Sequence, residues 1–194
     1  MDLLRKLFYF LMDSLQTLLL AAAVFLFIYV GLFRPFQVDG HSMDPNFENQ
    51  EFVLTNLMGY QEFMGIKIKS GVPKRGEVIV LVSPVDNTKD YIKRVIGLPA
   101  ETIMIKDGTI YINNNKLDES KYIGSEVKTF AGSFLHEGEA FVIPENNYIV
   151  IGDNRGGSSD SREFGPIKKD TIIGVSTVVY WPPNRTRVIK NPFN

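Results

Sequence analysis

Ser42 lies in Gly40-His41-Ser42-Met43-Asp44-Pro45, a stretch of turn formers just after a long apolar segment. A serine hydroxyl is a weak nucleophile and needs a base within about 3 Å. The chain has two histidines, His41 and His136. His41 adjoins Ser42, and neighbouring side chains on an extended strand point to opposite faces. His136 falls in a polar, poorly patterned stretch. A Ser-His-Asp triad is therefore disfavoured. Lysine is the other base on offer. It works only as the neutral amine, a form that burial among apolar groups favours. Lys93 has such a setting, with Tyr91, Ile92, Val95 and Ile96 around it. A third stretch, 152–162, reads Gly-Asp-Asn-Arg-Gly-Gly-Ser-Ser-Asp-Ser-Arg and is dense in donors and acceptors. A preorganised site needs that kind of surrounding shell. Each stretch also has a plainer use: a serine opening a turn, a lysine on a strand surface, a loop bonded to itself. Three separated motifs in agreement point to a Ser/Lys pair.

Elements must hold these residues. The segment 14–33 contains no charge, and twenty residues of helix rise about 30 Å, the thickness of a bilayer core. It is too long for the apolar region of a cleaved signal peptide, and no small-x-small site follows it before Arg34-Pro35. It is expected to be a retained membrane span, with Pro35 ending the helix. Arg5 and Lys6 precede the span and Arg34 follows it, which favours an inside N-terminus. Beyond residue 34 there is no long helical pattern. Short apolar or alternating runs appear at 36–39, 51–56, 77–82, 90–97, 148–152 and 171–181. A hairpin is expected over 102–112, turning at Asp107-Gly108. The stretch 57–71, with Met58, Tyr60, Phe63, Met64 and Ile66, lacks clean periodicity and reads as a core-packing loop rather than a lipid-dipping patch. Many short strands separated by turns indicate a barrel or sandwich.

The expected architecture is thus mainly β. It comprises a short cytoplasmic segment 1–13, a transmembrane helix 14–33, an extracytoplasmic all-β catalytic domain 34–101 and 148–194, and a small β insertion 102–147. Net charge is −1, with the first 34 residues at +1, so nothing points to nucleic acid. No cysteine is present, which excludes disulfides and thiolate metal sites.

The motifs together resemble the type I signal peptidases, membrane-anchored serine proteases that remove signal peptides from exported proteins. The resemblance runs through the span, Ser42-Met43-Asp44-Pro45, Arg75-Gly76-Glu77-Val78, the run from Tyr91 through Lys93 to Pro99, and the Gly-Asp-Asn-Arg stretch extended to Gly165. A single span and a short insertion look like the smaller Gram-positive-type members, and Lys93 sorts the chain with the lysine-using branch. The resemblance implies Ser42 as nucleophile and Lys93 as general base. It implies Ser158 as a serine holding the lysine amine, and Asp160, Arg162 and Arg94 as an ion-pair cluster. Phe36, Val38, Tyr91 and Ile92 would line pockets for small residues at −3 and −1 of a signal peptide. The partners implied are signal peptides and membrane lipid; no metal and no cofactor is implied. Gly40 stands where many Gram-negative members carry an oxyanion-hole serine, so backbone N–H groups would serve there, Ser42's first. Asn46 and Ala100-Glu101 depart from the usual threonine and Gly-Asp. The alternative is a substrate-restricted processing or assembly factor for a few pilin-like surface proteins on the same scaffold.

Overall fold

The structure, a computed structural model, describes residues 2–60, 62–63, 66–67 and 71–193. Met64 and the side chains of Phe63 and Ile66 lie outside the described residues. Tyr60 packs against a buried cluster, while Met58 is 58% exposed.

The chain opens with one helix, α1 (Asp2–Leu32). Residues 2–13 of the expected N-terminal segment are helical and run without a break into the span. Its stretch Leu3–Leu26 is long and apolar enough to cross a membrane, and none of it is buried against the rest of the protein. Leu18, Leu19 and Phe25 are each more than 60% exposed. A helix that is apolar all round and covered by nothing suits lipid, not water. The helix ends at Leu32, one residue before the expected end of the span. Leu32 accepts a hydrogen bond from the Leu57 N–H (2.9 Å), and the chain turns at once into a strand. That strand, β1 (Phe33–Gln37), pairs among the described residues only with β2 (Phe52–Asn56). Proline lacks a donor but is tolerated on an edge strand, so Pro35 sits inside β1 and does not end the helix.

Two short strands, β3 (Glu62–Phe63) and β4 (Ile66–Lys67), form a hairpin of their own. The main sheet resumes with β5 (Val78–Val82) and β6 (Asp90–Gly97). Four of the five β5 residues are buried, as befits a strand covered on both faces. The predicted hairpin is β7 (Thr102–Lys106) and β8 (Thr109–Ile112), turning through Asp107 (φ 53°) and Gly108 (φ 76°). Both turn residues are left-handed, as a type I′ turn requires. Strands β9 (Asn115–Lys116) and β10 (Ala140–Val142) complete a four-stranded sheet in the order β10-β7-β8-β9.

β11 (Asn147–Ile151) returns to the main sheet. After the short helix α2 (Ser161–Phe164) come β12 (Ile167–Lys168), β13 (Ile172–Trp181) and β14 (Arg187–Val188). The order is β1-β2-β13-β5-β6-β11-β12, with β14 beside β13, and each neighbouring pair in it is antiparallel. The mainly β class expected from the sequence is what forms.

The stretch 113–147 is better anchored than its polar composition suggests. Tyr122, Ile123, Leu135 and Ile143 are buried in one cluster with Ile103, Ile105 and Ile110. Ile96, Ile149 and Ile151 of the main sheet belong to the same cluster, so the insertion and the main sheet share a core. A few widely spaced anchors suffice because β7 and β8 each alternate buried and half-exposed residues over it.

Candidate active site

Ser42 is held in place through its neighbours. It lies in a turn and not on a strand, so the alternation argument used for His41 does not apply. The structure gives His41 a partner other than Ser42. Its ring is exposed and its Nδ1 meets Asp44 Oδ2 at 2.9 Å. Met43 is fully buried with Val38, Phe47, Val53, Val78 and Val179, and this apolar anchor pins the turn to the sheet. Asn154 grips the turn from the other side. Its backbone N–H donates to the Ser42 carbonyl (3.0 Å), and its Nδ2 donates to the His41 carbonyl (2.9 Å). Gly152 makes room for this grip: a Cβ there would stand 2.4 Å from the Ser42 carbonyl oxygen and 2.2 Å from Ser158 Oγ.

Lys93 comes from β6, where it pairs in register with Ile79 of the buried β5. It is 4% exposed, and its Nζ lies 2.8 Å from Ser42 Oγ. Nζ also donates to the Ile92 carbonyl (3.0 Å) and stands 5.1 Å from the Tyr91 ring centre. Burial disfavours the ammonium and lowers the Lys93 pKa to about 8, although Asp160 and Asp153 pull the other way. Burial prevails because each carboxylate already has its own cation. Asp160 forms a bidentate pair with Arg162 (2.8 Å to both Nε and Nη2), and Asp153 one with Arg94 (2.8 and 2.6 Å).

The expected cluster of Asp160, Arg162 and Arg94 is therefore two pairs, and Arg94 belongs to Asp153. Asp160 also accepts from the Gly152 N–H (3.0 Å) and caps α2 through the Arg162 N–H. Asn46 donates to Asp153 Oδ2 (2.9 Å) and to the Tyr122 carbonyl (2.6 Å), tying the serine turn to the Arg94 pair. That contact gives the departure from threonine a structural use. Arg155 reaches into the insertion, bonding Glu119 and Tyr122. Sequence reasoning passed over Asp153, Asn154 and Met43 as individual residues. Asp153 and Asn154 stood in plain view beside a strand end, but nothing in their spacing names their partners.

Ser158 does not make the contact expected of it. Its hydroxyl is buried, close to Gly152, and has no hydrogen-bond partner among the described residues. The second partner of Lys93 is the Ile92 carbonyl instead.

A cleft of about 300 Å³ opens onto Ser42 and Lys93. Phe36, Val38, Tyr91 and Ile92 all line it, with Val53 and Val80. Phe36 and Ile92 also pack against the cluster that anchors Met43, so cleft wall and core are continuous. β11 pairs with β6 only from Arg94 onward, so 90–93 have one unpaired strand edge among the described residues. Gly40 (φ 97°) would meet no atom with a Cβ, so its role is the left-handed backbone and an open cleft. Its N–H is taken by Asn49 Oδ1 (3.0 Å), whereas the Ser42 N–H has no acceptor among the described residues.

The family model described as signal peptidase, peptidase S26, matches residues 11–181. The chain belongs to the signal peptidase family. Signal peptidase IB of Staphylococcus aureus (strain MRSA252) is 36% identical over 186 residues, covering 89% of this chain and 91% of that protein. Signal peptidase I S of Bacillus subtilis (strain 168) is 34% identical, covering 91% and 92%. A crystal structure of a signal peptidase I from Enterococcus faecalis V583 matches 54% of this chain and 97% of that one, at 31% identity and a TM-score of 0.43. These relatives do not favour the assembly-factor alternative.

Proposed function

We propose that this protein is a membrane-anchored serine endopeptidase that removes signal peptides from exported preproteins after small-x-small sites. Ser42 is the nucleophile and Lys93 the general base. One observation carries this reading: a buried lysine amine 2.8 Å from a serine hydroxyl at the edge of an apolar cleft.

The substrate strand adds to the open edge at 90–93, a mode in which main-chain bonds give affinity and side-chain pockets give selectivity. Phe36, Val38, Tyr91 and Ile92 limit the −1 and −3 side chains to small ones, because forcing extra methylenes into a packed apolar site costs about 1–3 kcal/mol. Neutral Lys93 takes the proton from Ser42 Oγ as that oxygen attacks the scissile carbonyl. The developing oxyanion is met by the free Ser42 N–H. Lys93 then passes its proton to the leaving amine. A water, deprotonated by the same lysine, hydrolyses the acyl-enzyme. The ammonium that forms in between is supported by the Ile92 carbonyl and by the nearby Asp160 and Asp153 charges. Helix α1 is the anchor, with its N-terminus cytoplasmic and the β domain on the outer face.

The test is to incubate the detergent-solubilised protein with a preprotein whose signal peptide ends in Ala-x-Ala. A mature product with the new N-terminus at that bond is expected. Ser42→Ala and Lys93→Ala should each abolish it, and the losses should not add in the double variant. Retained cleavage in either single variant overturns the dyad.

A further inference from the structure

We infer that Asp39 and Asp90 give the cleft a charge preference, selecting cationic over anionic substrate side chains a few residues upstream of the cleaved bond. Both residues line the same cleft as Ser42 and Lys93, and both are exposed. Neither carboxylate makes a hydrogen bond or ion pair among the described residues. Most other acidic residues around the site are engaged. Asp153 and Asp160 are held by arginines, Asp44 faces His41, and Asp86 faces Lys89. Among the described residues the only lysine lining the cleft is Lys93, which must be neutral to act. In its reactive form the described cleft lining therefore carries two carboxylates and no charged lysine or arginine; Arg34 lies outside the lining, over the Phe36 ring.

Their position is set by the strands. Asp90 is three residues before Lys93 on β6, which at about 3.3 Å per residue puts it about 10 Å along the strand from the reacting groups. Asp39 is likewise three residues before Ser42 and directly follows Val38. The side of the cleft walled by Phe36, Val38 and Ile92 is the one that receives the signal-peptide residues in the function proposed above, and this inference rests on that reading. Carboxylates at the outer end of that wall meet side chains at −2, −4 and −5. Those side chains are not confined to the apolar pockets, so they can be polar.

The test uses the full-length protein in neutral detergent. A peptide series keeps Ala at −3 and −1 and carries Lys, Gln or Glu at −2, −4 or −5 in turn. The readout is the Lys-to-Glu ratio of kcat/KM within each protein, which cancels any general loss from a substitution. Exposed charge pairs are weak, so a ratio of about 3–10 is expected at the most responsive position at low salt. It should fall toward 1 in Asp39→Asn/Asp90→Asn and in 0.5 M NaCl, where screening is strong. A ratio near 1 at every position in the unaltered protein overturns the inference while leaving the peptidase reading intact. So does a ratio that persists in the double variant. Failure to cut even the Gln peptides overturns both.

Discussion

Lys93 concentrates the chemistry of the site in one titration. Its folded pKa of about 8 lies below the ordinary 10.5, so in the proposed mechanism the base is neutral, and the enzyme active, above about pH 8. The acid limb of kcat/KM is expected there, and a limb at the exposed-lysine value of about 10.4 would contradict a buried base. The same shift sets a stability effect. The fold penalises the ammonium, so the penalty is complete below about pH 8 and fades as pH rises toward 10.5. Lys93→Met should therefore be more stable than the natural protein at pH 7, on the order of 2–3 kcal/mol, with the gap narrowing above pH 8. Thermal melts at pH 7 and pH 9.5 check both the sign and the trend. A second residue-scale prediction concerns Ala100, whose φ of 65° is left-handed. A Cβ is strained there, and Ala100→Gly should stabilise the fold by about 0.5–1 kcal/mol, the lost strain outweighing the freer unfolded chain. Urea melts would show it. Its neighbour Glu101 pairs with Arg75 and accepts from the Leu98 N–H (2.8 Å), which fixes that turn.

At the scale of elements, the loop from Gly152 to α2 acts as an electrostatic spacer as well as a clamp. It brings two carboxylates close enough to Lys93 to favour its ammonium, and arginines neutralise both. Removing one arginine exposes the lysine to the freed charge. Arg162→Met is expected to move the acid limb above about pH 8, and Asp160→Asn to move it below. Breaking a buried pair costs about 3–5 kcal/mol, so both variants should also melt earlier. A purely structural pair would lower the melting temperature and leave the pH limb in place, which separates the two roles in one set of rate profiles. The clamp itself is visible in Asn154, which bonds the His41 and Ser42 carbonyls on either side of Ser42.

For the whole molecule, the helix and the β domain depend little on one another. No part of Leu3–Leu26 is buried, and the four buried clusters are built from residues after Phe33. A variant beginning at Phe33 should keep its β circular-dichroism signature and melt within a few degrees of the full chain. It should no longer sediment with vesicles as an integral protein. Loss of cooperative melting in that variant would show that α1 supports the fold directly.

What the sequence determined by itself was everything written in local pattern. Charge-free length announced α1; alternation announced most strands; Asp107-Gly108 announced its turn. Ser42 and Lys93 were legible as a pair because histidine was scarce and one lysine sat in an apolar strand. The tertiary structure decided what depends on partners far apart in the chain. It gave Arg94 to Asp153, left the Ser158 hydroxyl without a partner, and carried the helix back to Asp2. It anchored a polar insertion through four dispersed apolar residues that show no period. Local sequence specifies which face is apolar and where the backbone turns. Which of several arginines meets which aspartate is settled only when the strands pair and water leaves the space between them, because in water these charges are nearly interchangeable.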